Sequence, residues 1–141
     1  MYKDFDAIKN KIVAICERKP AIEAAYVFGS CAKGKQTQSS DLDVAILLNE
    51  TKTADFSMLT FITVLEKQLD CKVDVVGLNN AGEVLKYEVR RKGIRIFDRS
   101  SQYRKRFEIR GRKSYEDFLH LHKKYVKAVL YGGANGRQDP S

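Results

Sequence analysis

The sequence predicts an α/β (α+β) domain in which a small mixed β-sheet is flanked by α-helices and followed by a C-terminal helical tract. Short apolar runs bounded by turn residues alternate with amphipathic helical patterns along the chain. The 141 residues suffice for one hydrophobic core but not for two independent ones. The link between the first two predicted strands is too short for a crossover helix, so the sheet is expected to be mixed rather than purely parallel.

The predicted elements follow in the order helix, strand, strand, helix, strand, helix, strand and a final helical tract. The first helix, Tyr2–Lys19, repeats apolar residues at helical spacing until Pro20 ends the pattern. A later helix starts at Ala54, where Asp55 or a neighbour is expected to cap it. The strands are predicted at Ala24–Phe28, Leu42–Leu48, Lys72–Val76 and Ile94–Phe97, and the other helices at Ala81–Arg91, ended by Gly93, and Gln102–Tyr131.

The chain divides into a predicted core over residues 1–98, a helical extension over 99–131 packed on that core, and a tail over 132–141. Ser100 or Ser101 is expected to cap the extension. Gly111 lies inside it, which predicts a kink or a break into two helices. The tail is rich in glycine and polar residues and is expected to be flexible.

Charge and cysteine content restrict the class of protein. Residues 1–85 carry ten Lys/Arg and twelve Asp/Glu, whereas residues 86–131 carry fifteen and five, within a net charge of +8. The basic half is either a binding surface for an anionic partner or a solvated helix face. Three widely spaced cysteines without a secretory signal favour reduced thiols in the cytoplasm and argue against structural zinc. No apolar run is long enough to span a membrane.

The segment Gly29–Asp43, GSCAKGKQTQSSDLD, connects the first two predicted strands and carries the strongest functional signal. A glycine at a strand end lets the backbone approach a phosphate, and Ser30 offers a hydroxyl beside backbone N–H donors. Lys33 and Lys35 can balance phosphate charge. The segment lacks the Gly-Lys-Ser/Thr ending of a P-loop, so it is not that motif.

Asp41 and Asp43 close this segment. Residues two apart on a strand face the same way, so both carboxylates are expected on one face while Leu42 and Val44 enter the core. Two close carboxylates repel each other unless a cation neutralises them, and Mg²⁺ prefers such oxygen ligands. The alternative is that one aspartate caps a turn and the other is solvated.

Asp74 interrupts the apolar run Val73–Val76. If its strand neighbours the second strand, Asp74 converges on the aspartate pair, and three carboxylates can hold two metal ions for phosphoryl chemistry. The alternative is an edge strand from which Asp74 points outward.

These motifs together resemble the DNA polymerase β nucleotidyltransferase superfamily, which has Gly-Ser, a spacer of about ten residues, Asp-x-Asp and a later third carboxylate. The short chain is similar to its minimal nucleotidyltransferases, which include the antitoxins of HEPN–MNT toxin–antitoxin pairs. The resemblance implies Asp41, Asp43 and Asp74 as catalytic and metal-binding residues, with two Mg²⁺ ions and ATP as substrate. It also implies nucleotide contacts from Gly29, Ser30, Lys33 and Ser40.

The resemblance further implies transfer of AMP from ATP to a tyrosine hydroxyl of a HEPN ribonuclease toxin, with which the chain would form a hetero-oligomer. Three alternatives stay open. The first is a small-molecule nucleotidyltransferase of the aminoglycoside-modifying type, although the basic second half would suit a cationic drug poorly. The second is a non-catalytic inhibitor that acts by docking alone. The third is a nucleic-acid-binding module, which would bind in a salt-dependent way.

Other polar and aromatic residues of the basic tract are weaker candidates. His120 and His122 lie two apart on a predicted helix and face different directions, which favours surface or interface positions over a metal pair. Interleaved tyrosines and cations can bind nucleic acid, but near-helical spacing favours core or interface packing. These tyrosines are Tyr103, Tyr115, Tyr125 and Tyr131.

Overall fold

The computed structural model describes residues 5–29 and 41–132, in which a four-stranded sheet lies between two pairs of helices. No helix in these two ranges is both long and apolar enough to cross a membrane. The described residues also contain two 3₁₀ turns, Glu50–Lys52 and Leu78–Asn80, and a π-helical turn, Ala128–Gly132. The strands are β1 Ile22–Phe28, β2 Leu42–Leu48, β3 Val73–Gly77 and β4 Ile94–Asp98, and the helices are α1 Phe5–Glu17, α2 Met58–Leu69, α3 Glu83–Lys92 and α4 Ser101–Lys127.

The strand order is β3-β2-β1-β4. Strand β1 pairs antiparallel with both β2 and β4, whereas β2 and β3 are parallel because α2 carries the chain back between them. The prediction of a mixed sheet flanked by helices is therefore confirmed. Strand β3 lies at one edge of the sheet, because the chain that leaves β2 returns through α2 and pairs with the free side of β2.

The sheet has an apolar core on each face. On one face α1 and α2 pack against β-strand residues that include Leu42, Val44 and Val73. On the other face α3 and α4 cover Tyr26, Ala45 and neighbouring residues. Successive residues of β2 alternate between the two cores, as expected for a strand buried on both sides.

Serine side chains cap two of the helices. Ser57 accepts a hydrogen bond from the backbone N–H of Thr60 (3.2 Å), so α2 starts at Met58 rather than at Ala54. A neighbour of Asp55, not Asp55 itself, is the cap. Ser100 accepts from the backbone N–H of Tyr103 (3.3 Å) and caps α4, as predicted. Other element ends differ from the prediction by one or two residues.

A buried polar network anchors the first half of α4 to the sheet. Arg104 donates hydrogen bonds to Asp98 Oδ2 (2.8 Å) and to Glu108 Oε1 (2.9 Å). The other Glu108 oxygen accepts from the Tyr26 hydroxyl on β1 (3.0 Å). Arg99, just before the helix, donates to the carbonyl oxygens of residues 16 and 22 (2.8 and 2.9 Å). Part of the basic half is thus internal structure.

The predicted break of the C-terminal helix at Gly111 is wrong, because α4 runs without interruption through this residue. Gly111 is buried, and a Cβ built there would lie 3.0 Å from the Nη1 atom of Arg90 on α3. The glycine therefore allows close approach of α3 and α4 rather than marking a helix end. The predicted tail lies almost wholly outside the described residues, as do residues 1–4.

We expect Gly111→Ala to stabilise the protein modestly. Alanine gains up to about 1 kcal/mol of helix propensity over glycine, and the atom it meets is the movable end of an arginine side chain. Gly111→Leu should instead force the helices apart and destabilise. Urea denaturation of both variants tests this prediction, and a marked loss of stability in Gly111→Ala would contradict it.

Candidate functional site

Asp43 and Asp74 lie side by side on adjacent strands. Asp43 of β2 is the direct register partner of Asp74 in the parallel β2–β3 pair. Directly paired residues project from the same face of a sheet, which here is the face covered by α3 and α4. Asp41 precedes β2 by one residue. The predicted convergence of Asp74 on the aspartate pair is present in the structure, although β3 is an edge strand and Asp74 is exposed.

Buried neighbours fix the orientation of these carboxylates. Leu42 and Val44 are fully buried in the core beside α1 and α2, so Asp43 between them must face the other side. The start of β3 is held by Glu66 of α2, whose Oε2 accepts a hydrogen bond from the backbone N–H of Val73 (3.0 Å). Asp43 and Asp74 are therefore positioned by paired strands.

Gly29 follows β1 directly and packs against Asp43. Its φ is +72°, in the left-handed region that favours glycine. A Cβ at this position would collide with the carboxylate of Asp43. The sequence predicted a glycine that admits a phosphate, and the structure adds a second reason, which is room for Asp43.

Gly29→Ala should therefore damage stability and site geometry together. The left-handed conformation costs an alanine about 1–2 kcal/mol, and the new methyl group displaces the Asp43 carboxylate. Gly77→Ala is the matched control, because Gly77 has φ −90° and its Cβ would make only ordinary contact with Met58 (3.8 Å). Thermal unfolding and enzymatic assay of both variants test this; equal behaviour would contradict it.

Electrostatic repulsion is concentrated at Asp43. Burial raises the pKa of its carboxyl, and the neighbouring charges of Asp74 and then Asp41 raise it further. A cation at this position would relieve the repulsion. Carboxylate oxygens are the ligands that Mg²⁺ prefers, and Mg²⁺ commonly uses one or two carboxylates together with substrate phosphates and water. The donor set fits that ion.

The side chains of residues 5–29 and 41–132 do not by themselves complete a metal site. No group of three or more His, Cys, Asp or Glu side chains within the described ranges is arranged to hold a metal ion. The adjacent Asp43 and Asp74 supply two carboxylates, so further oxygen ligands would have to come from elsewhere. A site of this kind is suited to binding metal together with a polyphosphate.

The other predicted candidates have different outcomes. Ser30, Lys33 and Ser40 lie outside the described residues, as do Cys31 and Lys35. His120 and His122 are exposed on α4, in agreement with a surface position.

The four tyrosines of the basic tract divide into two groups. The Tyr103 hydroxyl donates to the Leu48 carbonyl oxygen (3.1 Å), and Tyr115 stacks on Tyr87 of α3 with ring centroids 4.2 Å apart. Tyr103 and Tyr115 therefore help to pack α4 against the rest of the fold. Tyr125 and Tyr131 are exposed.

Phe28 is a site neighbour that sequence reasoning missed. It is the register partner of Asp43 in the β1–β2 pair, so Phe28, Asp43 and Asp74 form a row across three strands. Its ring contributes apolar surface beside the carboxylates. Its position directly before the Gly-Ser pair was the available signal, but pairing register cannot be derived from one strand alone.

Comparison with known families decides the classification. The model of the family described as polymerase beta, nucleotidyltransferase matches residues 10–102, which include β1 to β4 and all three aspartates. This chain belongs to the polymerase beta nucleotidyltransferase family. The resemblance drawn from its Gly-Ser, Asp-x-Asp and third-aspartate pattern is confirmed.

Individual relatives of this nucleotidyltransferase add detail. It is 31% identical over 90 residues to the protein adenylyltransferase MntA of Shewanella oneidensis, covering 63% of this chain and 64% of MntA, slightly less than two thirds of that protein. Its fold resembles a toxin–antitoxin crystal structure with AMP-PNP, with a TM-score of 0.70, 24% identity and coverage of 86% and 98%. It also resembles the complex of a tri-AMPylated Shewanella oneidensis HEPN toxin with MNT antitoxin, with a TM-score of 0.67, 23% identity and coverage of 89% and 98%.

Proposed function

We propose that this nucleotidyltransferase transfers AMP from ATP to a tyrosine hydroxyl of a HEPN-type ribonuclease toxin and so acts as its antitoxin. The observation that carries the proposal is the pairing of Asp43 with Asp74, beside Asp41 and Gly29, within a nucleotidyltransferase fold. The name of MntA as a protein adenylyltransferase supports the reaction, and the fold likeness to the AMP-PNP and HEPN complexes is consistent with the nucleotide and the partner.

Asp41, Asp43 and Asp74 are proposed to bind two Mg²⁺ ions together with triphosphate oxygens and water, because the described side chains alone do not form a metal site. Asp43 is the register partner of Asp74, and the charges of both Asp74 and Asp41 raise its pKa. Gly29, together with Ser30, Lys33 and Ser40, is proposed to contact the nucleotide. Lys33 can neutralise phosphate charge but lacks the planar fork of an arginine.

The transfer exchanges one phosphate ester for another. The acceptor hydroxyl oxygen forms a bond to the α-phosphorus of ATP, and the bond from that phosphorus to pyrophosphate breaks. Asp74 is exposed and borders the site, so we assign it the proton released by the hydroxyl. The remaining work of the protein is positioning and charge neutralisation, which is typical of phosphoryl transfer.

Incubation with α-labelled ATP, MgCl₂ and a HEPN-domain protein, sought first among the products of neighbouring genes, tests the proposal. We expect label on a tyrosine of the HEPN protein, released pyrophosphate, and loss of the toxin's ribonuclease activity. EDTA should abolish labelling. Absence of label with ATP, GTP, CTP and UTP would overturn the proposed activity.

A further inference from the structure

The last part of α4 and the turn after it form an exposed helical arm, Leu119–Tyr131. Every residue of this terminal arm is exposed except Val126, which is half-buried. At 1.5 Å per residue it extends about 20 Å. Six large apolar side chains on it are between 45 and 66% exposed. They are Leu119, Leu121, Tyr125, Val129, Leu130 and Tyr131.

The terminal arm differs from the first half of the same helix. Tyr103 and Phe107 pack on the sheet core, and Gly111 and Tyr115 contact α3. Isolated apolar side chains on a surface are ordinary, but a contiguous set on one element marks an interaction site. Helix propensity alone does not explain why leucines, valines and tyrosines lie on a solvent-exposed helix face.

The chemistry of the terminal arm defines what can cover it. Leu121, Tyr125 and Val129 recur every four residues and therefore form one stripe along the helix. Lys123, Lys124 and Lys127 lie among the apolar residues of the arm, and Leu119–Tyr131 contains no aspartate or glutamate. A complementary surface is an apolar groove bordered by carboxylates.

We infer that the terminal arm is the docking surface for the HEPN-type partner, an inference that rests on the proposed function. The fold likeness to a chain of the complex of a HEPN toxin with MNT antitoxin covers 89% of this chain. Residues 1–102, which contain the whole segment matched by the family, are a smaller share of the 141 residues than that. The likeness therefore extends beyond the nucleotidyltransferase core into α4. A core shared with other nucleotidyltransferases carries the chemistry, and the arm carries the partner contact.

Two other occupants fit less well. A second copy of the arm would bring lysines against lysines without any carboxylate in the segment to pair with them. Residues 133–141, GANGRQDPS, contain no apolar side chain larger than those of alanine and proline. That segment cannot supply an apolar cover.

The test measures affinity for the HEPN-domain protein used in the labelling experiment, by titration calorimetry without ATP. Leu121→Glu and Tyr125→Glu should each weaken binding by about 30-fold, the effect of losing one interface hot spot. Ile109→Glu is the matched control, because Ile109 on the first half of α4 is 63% exposed, close to the 65% of Leu121. It should change the affinity by about twofold or less, as surface substitutions do. Circular dichroism verifies that all three variants fold.

Several results would overturn the inference. These are no binding by the parent chain, equal affinities of arm and control variants, and an arm variant that only dissociates a dimer of this chain. A fourth is loss of binding to RNA or to anionic vesicles with partner affinity unchanged. Because ATP is absent, the binding result is independent of catalysis. Normal docking without label transfer would overturn the proposed reaction and leave the docking surface supported.

Discussion

Asp43→Asn is expected to reduce the proposed AMP transfer by about 10³-fold or more while leaving the fold intact. A metal ion contributes several kcal/mol of charge stabilisation, and each 1.4 kcal/mol corresponds to a tenfold change in rate. Asn keeps the size of the side chain but removes the charge that lies beside Asp74. Single-turnover transfer of label to saturating HEPN-domain protein measures the chemical step without a contribution from docking.

The stability of the same variant provides its control. The pKa of Asp43 is raised in the folded protein, so this group favours folding below its ordinary value of 3.8 and loses that contribution as pH rises through the folded pKa. At pH 7 the charged carboxylate of Asp43 therefore destabilises the folded state relative to the unfolded state. Asp43→Asn should have a higher Tm than the parent at pH 7, and the difference should vanish below pH 3.8.

These two measurements separate the candidate functions. An inactive variant that is as stable as the parent or more stable has lost chemistry rather than structure. A variant that still neutralises the toxin as well as the parent does would instead indicate a non-catalytic inhibitor. Addition of MgCl₂ and ATP should raise the Tm of the parent and have less effect on Asp43→Asn, because ligand that binds only the folded state stabilises it.

The position of Asp43 beside Asp74 could be anticipated from the sequence in part. Alternation along β2 turns Asp43 away from the core that holds Leu42 and Val44, whereas the pairing with Asp74 depended on β3 lying next to β2, which the parallel return through α2 provides. The structural role of Gly111 could not be predicted from the local sequence. Its low helix propensity suggested a break, whereas its role depends on the approach of α3, a tertiary contact that no local pattern contains.

The basic half of the chain, residues 86–131, also shows what the local sequence does not predict. Its arginines look equivalent in the sequence, yet Arg99 and Arg104 are structural while their neighbours remain solvated. Composition records how many charges a segment carries, whereas only the folded structure shows that Arg104 is buried and that the exposed Arg99 binds backbone carbonyl oxygens. The terminal arm was likewise indistinguishable from a core-packing helix, since an apolar stripe does not say what covers it.

Arg104→Met is expected to cost about 3 kcal/mol of folding free energy, the lower end of the range for removing one partner of a buried ion pair. The substitution keeps apolar volume but leaves Glu108 without its cation and Asp98 with only the longer ion pair to Arg95 (3.8 Å), and each carboxylate is 18% exposed. Asp98 Oδ1 is already buried without a partner, so water cannot easily compensate there. Because Glu108 also accepts from Tyr26, the loss reaches the contact between α4 and the sheet.

Urea denaturation against Lys105→Met tests this prediction with a matched loss of charge at an exposed neighbour, which should change stability by about 0.5 kcal/mol or less. If uncompensated charge is the cause, adding Asp98→Asn and Glu108→Gln to Arg104→Met should recover part of the stability. Equal losses in Arg104→Met and Lys105→Met would show that the ion pairs contribute little. A loss in Arg104→Met without recovery in the triple variant would assign the effect to packing of the arginine stem instead.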